Sequence, residues 1–314
     1  ARWAEEKELI AAITSARAEG KGPQELAEKV EQLQALQGQN PLVALDVDSQ
    51  AVAEVVENWT GIPVGRMVAD EIQTVNELDK HLADRVVGQD HAMAEIAQAI
   101  RTSRAGLMDP RKPVGVFLLV GTSGTGKTET ALALADKLYG GEQNLVTINM
   151  SEFKEEHKIS MLLGASAGYV GYGEGGILTE AVRRNPYSVV LLDEMEKAHP
   201  GIQDVFYNLF DKGTIKDGEG RDIDFRNTII IMTSNACSGQ IADICLSGDV
   251  PPAKELLETI RPELLEHFRP AFLGRTTIVP YFPLNREVLT EIVKINLAKI
   301  ERRIKERYNA AFEY

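Results

Sequence analysis

Eight consecutive residues, Gly121, Thr122, Ser123, Gly124, Thr125, Gly126, Lys127 and Thr128, match the pattern G-x-x-x-x-G-K-[ST] at every fixed position. Each residue type has a physical task. The glycines let successive backbone N–H groups turn inward around phosphate oxygens. The start of a following helix adds the positive end of its dipole. Lys127 can reach the β- and γ-phosphates of a bound nucleotide, and the Thr128 hydroxyl can ligate Mg²⁺. The string alone also suits a glycine-rich turn ahead of a helix, so its surroundings decide. The apolar run 114–120 reads as a buried strand before it, and 129–138 reads as a helix after it. Strand, loop and helix in that order favour a site for ATP.

A second pair of residues could complete the chemistry. The run 189–192 is apolar and ends in Asp193-Glu194. A buried parallel strand delivers its C-terminal end to the ligand edge of the sheet. There Asp193 can hold the Mg²⁺ shell and Glu194 can polarise an attacking water, as phosphoryl transfer requires. Two acids opening the next helix are the alternative, because carboxylates suit a helix N-terminus. The phosphate loop upstream tips the balance toward catalysis. A strand at 145–149 lies between the two motifs in sequence. That spacing suits P-loop ATPases with an extra strand between the motif strands, rather than nucleotide kinases.

These motifs need a frame. From residue 80 onward, helical stretches alternate with β-rich runs at 114–120, 145–149, 188–192, 228–233 and 276–279. Such alternation predicts an α/β fold, with a parallel sheet covered on both faces. Ahead of it, 1–38 reads as two helices. Trp3, Ile10 and Ile13 share one face of the first, and Leu26, Val30, Leu33 and Leu36 one face of the second. A coiled-coil hairpin and two surface helices fit that pattern equally. A further amphipathic helix is expected at 49–59 and a linker at about 61–78. From Asn285 onward the chain reads as helical and charged.

The 314 residues correspond to about two domains. Lys and Arg number 34 against 47 Asp and Glu, a net charge of −13, which argues against non-specific binding of nucleic acid or anionic lipid. No apolar run approaches the ~18 residues of a membrane span. The chain opens ARWAEEKELI, neither a start methionine nor a signal peptide, and is expected to be part of a longer protein. Cys237 and Cys245 cannot form a disulfide framework, and unpaired cysteines suit a cytoplasmic location. The five histidines show no close metal-binding spacing.

Several segments together resemble a known family. Val86-Val87-Gly88-Gln89, the phosphate loop, Gly168-Tyr169-Val170-Gly171-Tyr172, the run Asp193 to Pro200 (DEMEKAHP) and Thr233-Ser234-Asn235 are similar to the second AAA+ module of the Hsp100/Clp unfoldases. The match runs from about Asn58 to the C-terminus. The stretches GKTETALALAD, GEQNLVTINMSEF and FDKGTIKDGEGRDIDF most resemble the branch that recycles contracted type VI secretion sheaths. The resemblance divides the chain into the end of a middle-domain coiled coil (1–38), the end of a first-module small domain with linker (39–79), an AAA+ P-loop large subdomain (80–283) and the start of a small helical lid (284–314).

The same resemblance implies roles for further residues. Val86 and Val87 would pack against adenine, though by themselves they read as ordinary core. Asn235 would sense the γ-phosphate or orient the attacking water, where the residue type alone equally suits a turn. Arg275 would be an arginine finger reaching a neighbouring subunit's ATP, where sequence alone favours a surface ion pair. Residues 168–176 hold five glycines and two tyrosines. There the resemblance puts Tyr169 and Val170 on a loop that grips the substrate chain in a central pore, against a plain surface turn.

The implied whole is a homo-hexameric, ATP- and Mg²⁺-dependent unfoldase that threads polypeptide, with a secretion sheath protein as cargo. A general protein disaggregase of the same family is the first alternative. An ATP-binding assembly module with little hydrolysis is the second, and Glu194 argues against it. The stretch 236–255 lacks the hydrophobic-Gly-hydrophobic loop of protease-docking members, so no ClpP-type peptidase is expected as partner. The sequence departs from the family pattern at Ser166-Ala167, at Gly274, and at Cys237, which replaces a glycine.

Overall fold

The computed structural model describes residues 2–18, 70–165, 175–246 and 250–308, together with positions 29, 30, 32, 33, 36, 45 and 55. The chain forms two compact units, 1–60 and 61–314. In the first, helix α1 spans Arg2–Ala18. Ile13 and Ala16 are buried, but Trp3 is exposed rather than facing the core, and the Lys7 ammonium lies 5.0 Å from the centre of its ring. The helices expected at 26–36 and 49–59 lie largely outside the described residues, as does the linker from 61 to 69.

The second unit begins, among the described residues, with α2 (Asp70–Asn76), inside the stretch expected to be linker. It continues through α3 (Leu78–Ala83), α4 (Asp90–Arg104), β1 (Gly115–Gly121), α5 (Lys127–Tyr139), β2 (Leu145–Asn149), α6 (Ile159–Leu163), α7 (Ile177–Arg184), β3 (Val189–Asp193) and α8 (Gly201–Lys212). Then come a two-stranded antiparallel hairpin, β4 (Thr214–Lys216) and β5 (Asp222–Asp224), and β6 (Ile229–Ser234), α9 (Ser238–Leu246), α10 (Ala253–His267), α11 (Pro270–Leu273), β7 (Thr277–Tyr281) and α12 (Arg286–Tyr308). Among the described residues no helix is long and apolar enough to cross a membrane.

Among the described residues five strands form one parallel sheet in the order β2-β3-β6-β1-β7. The expected α/β architecture is therefore the observed one. The strand between the two motif strands is β6, whereas β2, which separates the motifs in sequence, lies at the sheet edge. Strand side chains alternate between the faces, and here both faces are apolar. Leu118, Val120, Val190, Leu192, Ile230 and Met232 enter one core, with Phe206 and Phe210 of α8 and Ile260 and Leu264 of α10. Phe117, Leu119, Val189, Leu191, Ile229 and Ile231 enter the other, with Ile96 of α4 and Leu134 of α5. Continuous apolar strands of this kind are what a sheet covered on both sides demands.

Parallel pairing has a consequence for chemistry. It brings the carboxyl ends of β1, β3 and β6 to one edge, and from that edge emerge the phosphate loop, Asp193-Glu194 and Asn235. Just beyond β6, Cys237 adopts φ 62, a left-handed conformation rare for a residue with a Cβ. That geometry accounts for the glycine usual in the resembling family. Cys237 is buried against the middle of α10, its Sγ 3.7 Å from the Ile260 carbonyl oxygen. Burial, with the Glu263 and Glu266 charges adding to it, pushes its thiol up to about 12. Cys245 is only half-buried. A thiol-reactive reagent at neutral pH should therefore modify Cys245 at least about 10-fold faster than Cys237, which should react fully only on unfolding. Peptide mapping of the labelled protein checks this; equal rates in the folded protein would contradict the buried position.

Candidate functional site

The phosphate loop leaves β1 at Gly121 and enters α5 at Lys127. Gly124 (φ 79) and Gly126 (φ 101) are left-handed, and a Cβ at Gly126 would lie 2.9 Å from Val86 Cγ1. Glycine at 126 thus answers both a backbone and a space requirement. Within the loop the Thr125 hydroxyl donates to the Thr122 carbonyl oxygen at 2.9 Å. The Thr130 hydroxyl donates to the Gly126 carbonyl oxygen at 3.0 Å and lies 2.8 Å from the Tyr281 hydroxyl of β7, which fastens the first turn of α5 to the sheet.

Lys127 is buried. Its Nζ donates to the carbonyl oxygens of Gly121 and Thr122, both at 2.7 Å, and to Asn235 Oδ1 at 3.1 Å. Three neutral acceptors surround the charge. Desolvation pushes the ammonium down to about 8, against the opposing pull of the Glu196 and Asp193 carboxylates.

The acidic side of the site is cross-braced. Asp193 ends β3, and its Oδ1 accepts a hydrogen bond of 2.5 Å from the Thr233 hydroxyl of β6. Glu194 is left-handed (φ 58, ψ 49), a conformation that costs about 1–2 kcal/mol for a residue with a Cβ. Its Oε1 accepts from Lys197 Nζ at 2.6 Å, which raises the Lys197 pKa. Glu196 Oε1 accepts the Asn235 backbone N–H at 3.2 Å, while Glu196 Oε2 is buried with no hydrogen-bond partner among the described residues. Asn235 is therefore held at its backbone by Glu196 and contacts Lys127 with its side chain.

Beside the loop lies a cleft of about 230 Å³, lined by Val86, Val87, Gly126, Leu284, Ile292 and Ile295. Val86 is fully buried. Arg85 anchors this wall to α5 and the segment beyond it, with Nε 2.5 Å from Glu129 Oε1 and a further bond to Glu142. Arg275 stands elsewhere, after α11. Its Nε donates to Asp211 Oδ2 at 2.8 Å and its Nη1 to the Ala271 carbonyl oxygen at 2.9 Å, and its guanidinium lies 5.6 Å from the centre of the Tyr207 ring. Lys112 shares Asp211 at 3.8 Å. Within the single chain Arg275 is thus an ion-paired surface residue.

The structure brings together residues 121–128, Asp193, Glu194 and Asn235 at one edge, places Val86 and Val87 beside them, and keeps Arg275 apart. Tyr169 and Val170 lie outside the described residues. Sequence reasoning missed Arg85, Glu196 and Lys197. The last two sit within the DEMEKAHP stretch, two and three positions past Glu194. Arg85 had no local signal, because its partners lie 44 and 57 residues away.

The comparisons with known proteins bear on this geometry. Residues 112–279 match the family model described as "AAA domain (Cdc48 subfamily)". The whole chain is 51% identical to the AAA+ ATPase ClpV1 of Pseudomonas aeruginosa, covering 38% of that protein. It is 48% identical to the chaperone protein ClpB of Yersinia enterocolitica, covering 37%. The chain is an AAA+ ATPase module of the Hsp100/Clp family. In structure it is similar to the Saccharomyces cerevisiae Hsp104-ADP complex, with a TM-score of 0.72 and 38% identity over 88% of this chain and 47% of that one. The Hsp100/Clp module spans well under half the length of the curated relatives it matches, and it corresponds to their second AAA+ module.

Membership in an ATPase family implies ATP binding, and the residues fit that ligand. Lys127 is a cation resting on neutral oxygens, and the loop offers left-handed glycines to phosphate. Hard oxygen donors suited to Mg²⁺ stand alongside, the exposed Thr128 hydroxyl and the Asp193 carboxylate. Phosphates favour the charged form of Lys127. Binding of Mg²⁺-nucleotide should therefore take up protons near pH 8–9, where the ligand-free lysine, with its pKa of about 8, is part-deprotonated. At pH 7 the lysine is already charged and uptake should be small. Calorimetric titration in buffers of different ionisation enthalpy measures this; pH-independent uptake would contradict it.

Proposed function

We propose that this module belongs to a hexameric ATP-driven unfoldase that threads polypeptide, and that its cargo is the contracted sheath of a type VI secretion system. The observation that carries the reading is the 51% identity to ClpV1 along the whole chain, joined to a phosphate loop and acidic pair at one sheet edge.

In the proposed cycle the backbone N–H groups of 121–128 and the Lys127 ammonium hold the phosphates of ATP. Lys127 exchanges its carbonyl partners for phosphate oxygens, and Val86 and Val87 cover the adenine. Thr128 and Asp193 hold Mg²⁺, which when bound neutralises charge on the β- and γ-phosphates. Glu194 leaves Lys197 and accepts a proton from the attacking water, while Asn235 orients that water or the γ-phosphate. Arg275 leaves Asp211 and reaches the ATP of a neighbouring subunit, where a cation offsets the charge that develops in the transition state. Hydrolysis then moves loops that carry Tyr169 and Val170 along the pore. An aromatic ring grips any chain it meets without requiring a given side chain. Cargo choice therefore rests on recruitment elsewhere in the protein, which raises the effective concentration at the pore.

The 48% identity to ClpB supports a second reading, a general disaggregase. Neither reading includes a ClpP-type peptidase. Ser238–Leu246 is helical, and the rest of the Leu246-Ser247-Gly248 sequence lies outside the described residues. A cytoplasmic location fits both.

One comparison separates the readings. The full-length protein, with ATP and Mg²⁺, is given contracted sheath tubules in one arm and heat-aggregated protein in the other. The proposal expects tubule disassembly, little reactivation of aggregates, and, in Glu194→Gln, loss of disassembly and of this module's share of ATP turnover while nucleotide stays bound. Efficient reactivation with tubules untouched would make the disaggregase reading correct.

A further inference from the structure

Asp193 and Glu194 are neighbours in the chain. On a regular strand, consecutive side chains point to opposite faces of the sheet. Both can serve one nucleotide only if the backbone turns between them. The turn is the left-handed conformation of Glu194, immediately after β3. What holds it comes from the adjacent strand. β3 and β6 pair in parallel with Leu192 level with Met232, so the next residue of β6, Thr233, stands beside Asp193.

We propose that Thr233 is a positioning residue for ATP hydrolysis: its one hydroxyl donates to Asp193 Oδ1 and accepts the Glu194 backbone N–H, and so sets both carboxylates at the nucleotide edge. The inference rests on the reading of Asp193 and Glu194 given above. The distances are 2.5 Å to Asp193 Oδ1 and 3.1 Å from Glu194 N. Thr233 is only 2% exposed, on the strand that lies between β1 and β3 and level with Leu119 of β1. A hydroxyl has one hydrogen to give and lone pairs to accept with. Donation to Asp193 therefore fixes the direction of the lone pairs, one of which receives Glu194 N–H. Asp193 keeps Oδ2 for the metal shell, and among the described residues that oxygen accepts no hydrogen bond. Valine has nearly the shape of threonine and the same branching at Cβ, yet it can neither donate nor accept here. Serine keeps the hydroxyl and loses only a methyl group.

The test compares wild type, Thr233→Val, Thr233→Ser and Glu194→Gln in the assembled full-length ATPase. Steady-state hydrolysis is measured against ATP and against Mg²⁺ in a background whose first AAA+ module is inactivated, with nucleotide affinity and Tm measured on the same preparations. Thr233→Val should lose about 10- to 100-fold in kcat, as misplacement of catalytic groups does. Its nucleotide affinity should stay within about threefold of wild type, and the Mg²⁺ needed for half-maximal rate should rise. Thr233→Ser should stay within about threefold of wild type in kcat. A kcat near wild type in Thr233→Val would overturn the proposal. So would equal losses in the valine and serine variants, which mark a packing role, or a loss of nucleotide affinity as large as the loss of kcat. Glu194→Gln tests the underlying assignment separately. Normal hydrolysis there removes the ground for both, whereas a dead Glu194→Gln beside an unimpaired Thr233→Val removes only the role of Thr233.

Discussion

Lys127 carries a charge into a place that water hardly reaches, and the partners it finds there are neutral: two carbonyl oxygens of its own loop and the amide oxygen of Asn235. A buried ammonium is costly unless it is paired with opposite charge. The Asp193 and Glu196 carboxylates pull on it without a hydrogen bond to it, and Glu196 Oε1 accepts the backbone N–H of Asn235. The loop is thus poised to receive an anion. Much of the surrounding structure follows from holding this cation, the acidic pair and Asn235 at fixed spacing.

Strand register supplies that spacing. β1, β6 and β3 are adjacent and parallel, so their ends deliver lysine, amide and carboxylates side by side. The register depends in turn on two dry apolar faces, which a shift by one residue would exchange. Side-chain bonds across the strand ends then refine the geometry. Each brace joins groups from different strands or their following turns: Thr233 to Asp193, Asn235 to Lys127, Glu196 to the Asn235 backbone. The module thus resembles a frame of rigid strands with polar latches at one edge, the arrangement expected where charge must be stabilised without reorganisation.

What was legible in the sequence was whatever is local. The phosphate loop is eight contiguous residues, and the central strands β1, β3 and β6 are short apolar runs because they are buried on both faces. The order of strands was not legible, since β6 is far from β1 and β3 in sequence yet lies between them. The β4–β5 hairpin escaped notice because each of its strands has three residues, too few for a pattern. Trp3 and Ile13 were read as sharing a face of the first helix, and Trp3 is exposed where Ile13 is buried, because apolar spacing says which residues share a face, not how much of that face is covered. Arg85 and Thr233 act through partners 39 to 57 residues distant, and no single motif shows which distant groups will meet. The resting partner of Arg275, Asp211, lies 64 residues away and belongs to the same class of missed information, whereas Lys197 is only three positions from Glu194.

The central claim is that Lys127 exchanges neutral oxygens for phosphate when nucleotide binds. A structure of the assembled protein with Mg²⁺ and a non-hydrolysable ATP analogue tests it most directly. The account predicts Lys127 Nζ within hydrogen-bond distance (about 3 Å) of a phosphate oxygen and released from the carbonyl oxygens of Gly121 and Thr122. Nucleotide bound at this loop with Lys127 still on both carbonyls, or nucleotide bound away from residues 121–128, would contradict it.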